Sequence, residues 1–294
     1  GSNNTALGHL AMRFNTTASN NTAVGYQAGY SNTTGTGLTA IGYSAMSFNT
    51  TGSYNIAIGG VGASGGTALN VNTTGSYNLA LGNGALQANT TASNNTAVGY
   101  HAGYSNTTGD VAAFGNNAAR SQTTAVYNTA FGNQTLYTNT GSGNTGFGSL
   151  VLYANTTGIE NVGVGGSLAT SPALRVNTTG SYNTSVGAGS LASNTTASNN
   201  TAVGYQAGYA NTGDKNTFVG KEAGVANTSG RLNTMLGQKA GKSNTTASSN
   251  TFVGQASGET NTTGQYNTAL GDQSLKSNTT ASYNTAVGYQ GLYA

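Results

Sequence analysis

Large apolar residues recur at a fixed phase along this chain, each directly before a glycine that we call the anchor. Eleven of the sixteen spacings between anchors are 17 residues, three are 16, and two are 23 and 22. Such regularity indicates a repeat architecture and argues against a disordered chain. The anchors are Gly8, Gly25, Gly42, Gly59, Gly82, Gly99, Gly115, Gly132, Gly148, Gly165, Gly187, Gly204, Gly220, Gly237, Gly254, Gly271 and Gly288.

The four residues before each anchor alternate in character. Counting from the anchor, position −1 is a large apolar residue in all 17 units, −2 is most often Ala, −3 is mostly Thr, and −4 is Asn in 15 of 17. This alternation predicts a short strand. The segment after the anchor, such as residues 26–30, predicts a second strand, and the Asn-Thr-Thr-Gly stretch that follows predicts a turn. Two strands and two turns would complete one coil.

We therefore predict an all-β fold, a parallel β-solenoid of about 17 coils with a 17-residue repeat. It would be a single solenoid over residues 1–294, with coil insertions at 60–70 and 166–175. Val71–Asn78 is identical to Val176–Asn183, and the two lie six units apart, which indicates that a block of six units was duplicated. The chain begins inside a repeat unit, so we expect a segment of a longer fibre.

The −1 residues are expected to form the core of the stack, and Val203→Asp would then unseat a coil. The pairs at 218–219, 235–236 and 252–253 place large apolar groups at adjacent positions, which face opposite sides of a strand. One face would be the coil's own core and the other would need a partner chain. The residues assigned to the core are Val24, Ile41, Ile58, Val98, Val203, Val219, Val253 and Val287.

The motifs carry a resemblance to known fibres. Asn200–Gly208 (Asn-Thr-Ala-Val-Gly-Tyr-Gln-Ala-Gly) and Asn267–Gly271 resemble the head repeats of trimeric autotransporter adhesins. Together with the Asn-Thr-Thr-Gly stretch, they are still more similar to repeat arrays of phage tail-fibre proteins. The resemblance implies a left-handed β-roll, three chains packed side by side, and an extracellular, cell-surface or virion-surface location.

Charge and composition narrow the function classes. Only 5% of residues are charged and the net charge is +3, with no block of like charges. Because nucleic-acid binding needs a basic stripe, we expect no nucleic-acid partner. The chain has no Cys, so disulfides and thiolate metal sites are excluded. No apolar run reaches 18 residues, so we expect no membrane insertion in this segment.

Catalytic chemistry has no visible basis in the sequence. His9 and His101 stand in different units without acidic neighbours, and the six acidic residues are scattered. Neither metal binding nor general acid–base catalysis is expected from such a distribution. We predict no enzyme activity, no cofactor and no metal.

Asn-x-Ser/Thr sequons recur in the turns. They are explained either by turn chemistry, because Asn and Thr side chains bond the local backbone, or by N-glycosylation in a secreted protein. The candidate glycosylation sites are Asn15, Asn32, Asn49, Asn72, Asn89, Asn106, Asn155, Asn177, Asn194, Asn227, Asn244, Asn261 and Asn278.

The leading functional hypothesis is a structural fibre shaft or adhesin segment that mediates attachment or filament formation. Its expected partners are copies of itself, as a homotrimer or filament, and a cell-surface glycan receptor. The 17 Tyr residues favour carbohydrate binding as an alternative. Regular Thr arrays favour ice binding as a second alternative, although Thr is expected in the turns or on the inward face.

Overall fold

Each coil contributes one short strand, formed by the residues just before its anchor. A computed structural model describes residues 1–60, 66–166 and 171–292. The chain divides into two compact units, Gly1–Gly143 (unit 1) and Asn144–Ala294 (unit 2). Unit 1 contains β1 (Thr5–Leu7), β2 (Thr22–Val24), β3 (Thr39–Ile41), β4 (Ile56–Ile58), β5 (Leu79–Leu81), β6 (Thr96–Val98), β7 (Val111–Phe114) and β8 (Asn128–Phe131). Unit 2 contains β9 (Thr145–Phe147), β10 (Val162–Val164), β11 (Thr184–Val186), β12 (Thr201–Val203), β13 (Thr217–Val219), β14 (Thr234–Leu236), β15 (Thr251–Val253), β16 (Thr268–Leu270) and β17 (Thr285–Val287).

Within each unit, every strand pairs in parallel with the next strand along the chain. Equivalent positions lie side by side, so that Thr184 pairs with Thr201 and Val186 with Val203. The described residues contain no helix. The predicted all-β parallel solenoid with a 17-residue repeat is confirmed.

The segment after the anchor differs from the prediction. It is a run of turns in which positions +2 and +4 have left-handed backbone, as at Gln27 (φ 53°) and Gly29 (φ 59°). Alternate left-handed residues direct N–H groups to opposite neighbours. Gln27 N donates to His9 O in the preceding coil (3.0 Å), and Gly29 N donates to Ala45 O in the following coil (2.9 Å). The prediction of a second strand is wrong. The segment hydrogen-bonds to both neighbouring coils, but as a run of turns and not as an extended, pleated strand.

The anchor glycine is required by both conformation and space. Gly25 has φ 129°, outside the range of residues that carry a Cβ. A Cβ on Gly25 would also lie 2.5 Å from the carbonyl oxygen of Gly42, the anchor of the next coil. The stacked anchors therefore exclude side chains along this edge of the strands.

The interior of each coil has an apolar part and an amide part. The apolar part is formed by positions −2, +3 and +4, which in one coil of unit 1 are Ala80, Ala85 and Leu86, all fully buried. The amide part is formed by the strand asparagine at −4 and by the asparagine that opens the turn. The core is thus narrow and filled mainly by Ala and Asn.

The two predicted insertions fall partly on residues 61–65 and 167–170, which lie outside the described residues. On the far side of each, the chain returns to positions +3 and +4 of its coil. Ala68 and Leu69 do so in unit 1, and Ala173 and Leu174 in unit 2, all fully buried. The extra residues therefore lie between the anchor and position +3.

Candidate functional site

The surface of the strands is formed by positions −3 and −1, which we call the outer sheet face. Position −3 carries Thr in most coils, half-buried or exposed, and position −1 carries the large apolar row. In unit 2, Val203 and Val219 are each 36% exposed and Leu270 is 49% exposed. Each unit therefore presents a row of apolar side chains that its own coils leave open to solvent.

The assignment of the −1 residues to the chain's own core is wrong. The alternation correctly predicts a strand with two different faces, but the face that points inward carries position −2 and not −1. The reason is that the coil is narrow. At most of the −2 positions its interior has room only for Ala, so the larger −1 residues lie on the outside. The residues concerned, all half-buried or exposed, are Val24, Ile41, Ile58, Val98, Val203, Val219, Val253 and Val287.

Three coils of unit 2 carry a large residue at −2, and there the adjacent core positions are glycines that leave space for it. Phe218, Met235 and Phe252 are fully buried. The Phe218 ring lies between Gly208 and Gly224, where an added Cβ on either glycine would collide with it. The expectation that one residue of each adjacent apolar pair fills the coil's own core is confirmed, while the other lies on the outer sheet face.

The strand asparagines form a buried amide ladder along each unit. Asn183 donates from Nδ2 to Asn161 Oδ1 (3.1 Å) and to the Ala197 carbonyl oxygen (2.9 Å). Its own Oδ1 accepts from the backbone N (3.0 Å) and Nδ2 (3.2 Å) of Asn200. Burial of a primary amide is tolerated here because the neighbouring coils satisfy its polar atoms.

The turn asparagines form a second ladder. Asn177 Nδ2 donates to Asn155 Oδ1 (2.7 Å) and to the Gly180 carbonyl oxygen (2.9 Å), and Asn177 Oδ1 accepts from Asn194 Nδ2 (2.8 Å). The side chain thus points into the coil, and its nitrogen is the atom that a glycan would occupy. Where the next coil is one residue short, the ladder is interrupted. Asn194 Oδ1, which faces a coil of this kind, has no hydrogen-bond partner among the described residues.

The side-chain nitrogens of the turn asparagines are therefore not open to a glycan in the folded coil, and of the two explanations turn chemistry accounts for the contacts that they make. A glycan on a buried Nδ2 would break two hydrogen bonds and prevent the coil from closing. Asn15 and Asn278 are half-buried, but both also donate from Nδ2 to the carbonyl oxygen three residues on. The eleven fully buried sites are Asn32, Asn49, Asn72, Asn89, Asn106, Asn155, Asn177, Asn194, Asn227, Asn244 and Asn261.

The location of the Thr at position −3 bears on the ice-binding alternative. The sequence placed this Thr on the inward face, whereas the structure places it on the outer sheet face beside the apolar row. Thr201 is half-buried there and Thr268 is exposed. A repeating Thr and apolar array on an open face is thus present, and the inward-face argument no longer applies.

Exposed Tyr rings stack from coil to coil. Tyr54 and Tyr77 in unit 1 are 5.2 Å apart between centroids, and Tyr266 and Tyr283 in unit 2 are 5.1 Å apart. All four rings are more than half exposed. Such pairs cover the coil edge with ring faces.

A shallow groove opens on unit 1 where a coil is one residue short. In the coil anchored at Gly115, Asp110 alone stands where other coils have two residues. The groove is lined by Asp110, Asn94, Thr96 and Tyr127, among others. Tyr127 is 77% exposed, so one wall is an open aromatic ring.

The titratable groups include one perturbed side chain and no cluster suited to a metal. Burial, followed by the charge of Arg120, lowers the pKa of His101 below its ordinary 6.5. Across the described residues there is no group of three or more His, Asp or Glu side chains that would hold a metal ion. The same part of the chain forms no helix of the length and apolarity that crossing a membrane requires.

His101 belongs to a surface group that sequence reasoning missed, which we call the Arg120 cluster (Tyr100, His101, Tyr104, Arg120 and Tyr137). Arg120 lies over the rings of Tyr104 (5.5 Å) and Tyr137 (5.7 Å) and donates from Nη1 to the Tyr137 hydroxyl (2.8 Å). The signal was present, because Tyr104, Arg120 and Tyr137 all stand at position +5 of consecutive coils. His9, by contrast, stacks on Tyr26 at 5.6 Å in another part of unit 1.

No protein-family model matches the chain, and comparison with curated proteins finds no significant relative.

Proposed function

We propose that this chain is a structural segment of an extracellular or virion-surface fibre, a shaft or adhesin element that spans distance and mediates attachment. The outer sheet face carries this proposal. In each unit it repeats the same Thr and apolar side chains from coil to coil. Bonding along the stack is provided by the backbone and the two amide ladders, so the outer sheet face remains for lateral association.

The partner that best suits this face is another copy of the chain. The apolar row repeats once per strand, so a second copy meets it with the same spacing and side chains. Val203, Val219 and Leu236 follow one another on three adjacent strands without an intervening charge. Burying exposed apolar surface of this kind drives association. The resemblance to trimeric adhesin heads and tail-fibre arrays supports a homotrimer of left-handed coils.

Sedimentation velocity tests the proposal directly. The wild-type chain is expected to sediment as an oligomer, and Val203→Asp, which places a charge on the outer sheet face, is expected to dissociate it. Thr196→Asp is the matched control, because Thr196 is exposed in the turn of the same coil. A wild-type monomer at every concentration tested would refute self-association. Thermal hysteresis by the wild type that Val203→Asp abolishes would assign the face to ice instead.

The groove beside Asp110 favours a second candidate function, binding of a neutral saccharide. It combines a carboxylate, hydroxyl and amide groups, and the open ring of Tyr127, which are the groups that bind sugar hydroxyls and C–H faces. On a glycan array, Tyr127→Ala is expected to abolish any binding that Tyr54→Ala, a variant of an exposed ring outside the groove, retains. Silence of the wild type on the array would remove this candidate.

A further inference from the structure

The Arg120 cluster holds a cation without a counter-ion. Among the described residues, the Arg120 guanidinium makes one hydrogen bond, to Tyr137, and has no carboxylate within ion-pair distance. Its Nε is buried and has no hydrogen-bond partner in that part of the chain. The guanidinium is therefore partly desolvated without a counter-ion, which is unfavourable for a charge. An anion bound at its remaining donors would offset this cost, and the protein itself supplies none there among the described residues.

Charged side chains elsewhere are treated differently. In unit 2, Arg231 pairs with Asp214 at 3.2 Å and Lys242 pairs with Glu222 at 3.2 Å. The fold can therefore place a carboxylate beside a cation in an adjacent coil. Among the described residues the cations without such a partner are Arg120 and the residues Arg13, Arg175, Lys215 and Lys239. Arg120 differs from the other described Arg residues because its Nε is buried without a hydrogen-bond partner.

The rings around Arg120 are positioned by the coil stack. His101 stacks on Tyr100 with 3.9 Å between centroids and contacts Tyr104 at 4.5 Å. Gly84, at the equivalent place in the preceding coil, leaves space for the imidazole, because a Cβ there would collide with His101. Since burial and Arg120 both lower the pKa of His101, the imidazole is neutral at pH 7 and leaves Arg120 as the cation of the cluster.

The duplicated block shows that the coil does not need this cluster. Positions about 105 residues further on are occupied by Gln206 for His101, Tyr209 for Tyr104, Val225 for Arg120 and Lys242 for Tyr137. Unit 2 keeps the same backbone pattern at these coils, with left-handed Gln206 (φ 55°) and Gly208 (φ 56°). A purely structural need for an Arg between two rings would apply equally to both blocks.

We propose that the Arg120 cluster binds an oxyanion, the carboxylate or sulfate group of a small ligand. The Tyr137 hydroxyl accepts from one N–H of Nη1. The second N–H of Nη1 and the two of Nη2 are the donors left for the ligand, and a planar guanidinium suits two-point recognition of such groups. Arg120 is half-buried, so the ligand enters from its solvent-exposed side. The ligand is either a free inorganic anion or an acidic saccharide whose ring also contacts Tyr100, which is 47% exposed.

Proton NMR of the His101 ring tests the site, because this imidazole lies in the cluster and reports a charge bound beside it. The full chain is titrated at constant ionic strength with sodium sulfate, sodium glucuronate and the neutral methyl glucoside. Saturable shifts of the His101 signals are expected with sulfate and with glucuronate and not with the glucoside. Tighter binding of glucuronate than of sulfate identifies an acidic saccharide, and equal binding identifies a free anion.

Variants of the cluster separate the site from general charge effects. Arg120→Val installs the residue of the duplicated block and is expected to weaken binding about tenfold or more, because it removes a charge-assisted contact. Arg120→Lys keeps the charge without the planar guanidinium, and its affinity is expected to lie between those of the wild type and Arg120→Val. Lys242→Val is the matched control and is expected to bind like the wild type. The proposal would be overturned if neither anion produced saturable shifts. It would also be overturned if folded Arg120→Lys and Arg120→Val bound the anions as tightly as the wild type.

Discussion

Removal of the Phe218 ring is the most direct test of how the core is packed. The ring is fully buried and lies between the backbones of Gly208 and Gly224. Both glycines are left-handed, with φ 56°. Each donates its N–H to the following coil, and its carbonyl oxygen accepts from the backbone N three residues on in its own coil. Two walls of the cavity left by Phe218→Ala are therefore main chain, and these two walls are unable to close over it.

The expected loss of stability follows from this rigidity. Truncation of a buried Phe to Ala costs about 3–5 kcal/mol, depending on how far the site collapses. Because the main-chain walls are fixed, we expect about 4 kcal/mol for Phe218→Ala. Gly208→Leu alone is also expected to be strongly destabilising, because its Cβ would lie 2.5 Å from the Phe218 ring.

The double variant should recover much of this loss. Elsewhere the fold places Leu at +4 where −2 of the following coil is Ala, as with Leu86 and Ala97, both fully buried. Phe218→Ala combined with Gly208→Leu recreates that pairing. The residual cost is that of a left-handed Leu, about 1–2 kcal/mol, which Leu86 (φ 49°) also bears. The two changes should therefore couple favourably by several kcal/mol.

Urea denaturation followed by circular dichroism measures all four members of this cycle. Equal m-values across the cycle would show that the same set of coils unfolds cooperatively in each variant. Additive effects of the two substitutions would refute the claim that positions −2 and +4 share one volume. A Phe218→Ala variant as stable as the wild type would show that the ring does not fill the core.

Three further outcomes follow from the buried amides and from His101. Asn183→Ala removes the amide that bonds Asn161, Ala197 and Asn200 and should lower the unfolding free energy by about 3 kcal/mol, measured in urea. The control is Thr179→Ala, at an exposed turn residue of the same coil. Secretion through a glycosylating pathway should yield folded protein without glycans on the eleven buried turn asparagines; glycopeptides from these sites in the folded fraction would contradict the structure. Because the pKa of His101 is lowered on folding, the unfolded chain takes up its proton first as the pH falls from neutrality through 6.5. Thermal melts should therefore lose stability in that range, and His101→Gln should lose less than the wild type; identical pH profiles would refute this.

The repeat and its strands were readable from the sequence because both rest on local alternation. Which face is inward was not readable. The alternation around Val203 fits either face equally well, and the choice depends on the width of a coil whose interior accepts Ala202. The usual rule for protein cores predicts that the larger residue points inward. In this narrow coil the smaller residue points inward instead.

The buried asparagines and the left-handed positions escaped prediction for a different reason. Asn183 is polar, and its burial is favourable only because identical amides lie one coil before and one coil after it. Leu86 has φ 49°, a conformation that local preferences reject for Leu and that is maintained by hydrogen bonds to neighbouring coils. Both features depend on contacts between coils, which a residue-by-residue interpretation does not contain.

The direction of the hydrogen bonds has a mechanical consequence. Within each unit they join one coil to the next, so a pull along the stack loads them end to end and opens them one coil at a time. Each opened 17-residue coil releases about 58 Å of chain, in exchange for the roughly 4.8 Å that it occupied in the stack. A single unit under tension therefore yields in many small steps, lengthening by several times and absorbing work before the chain becomes taut.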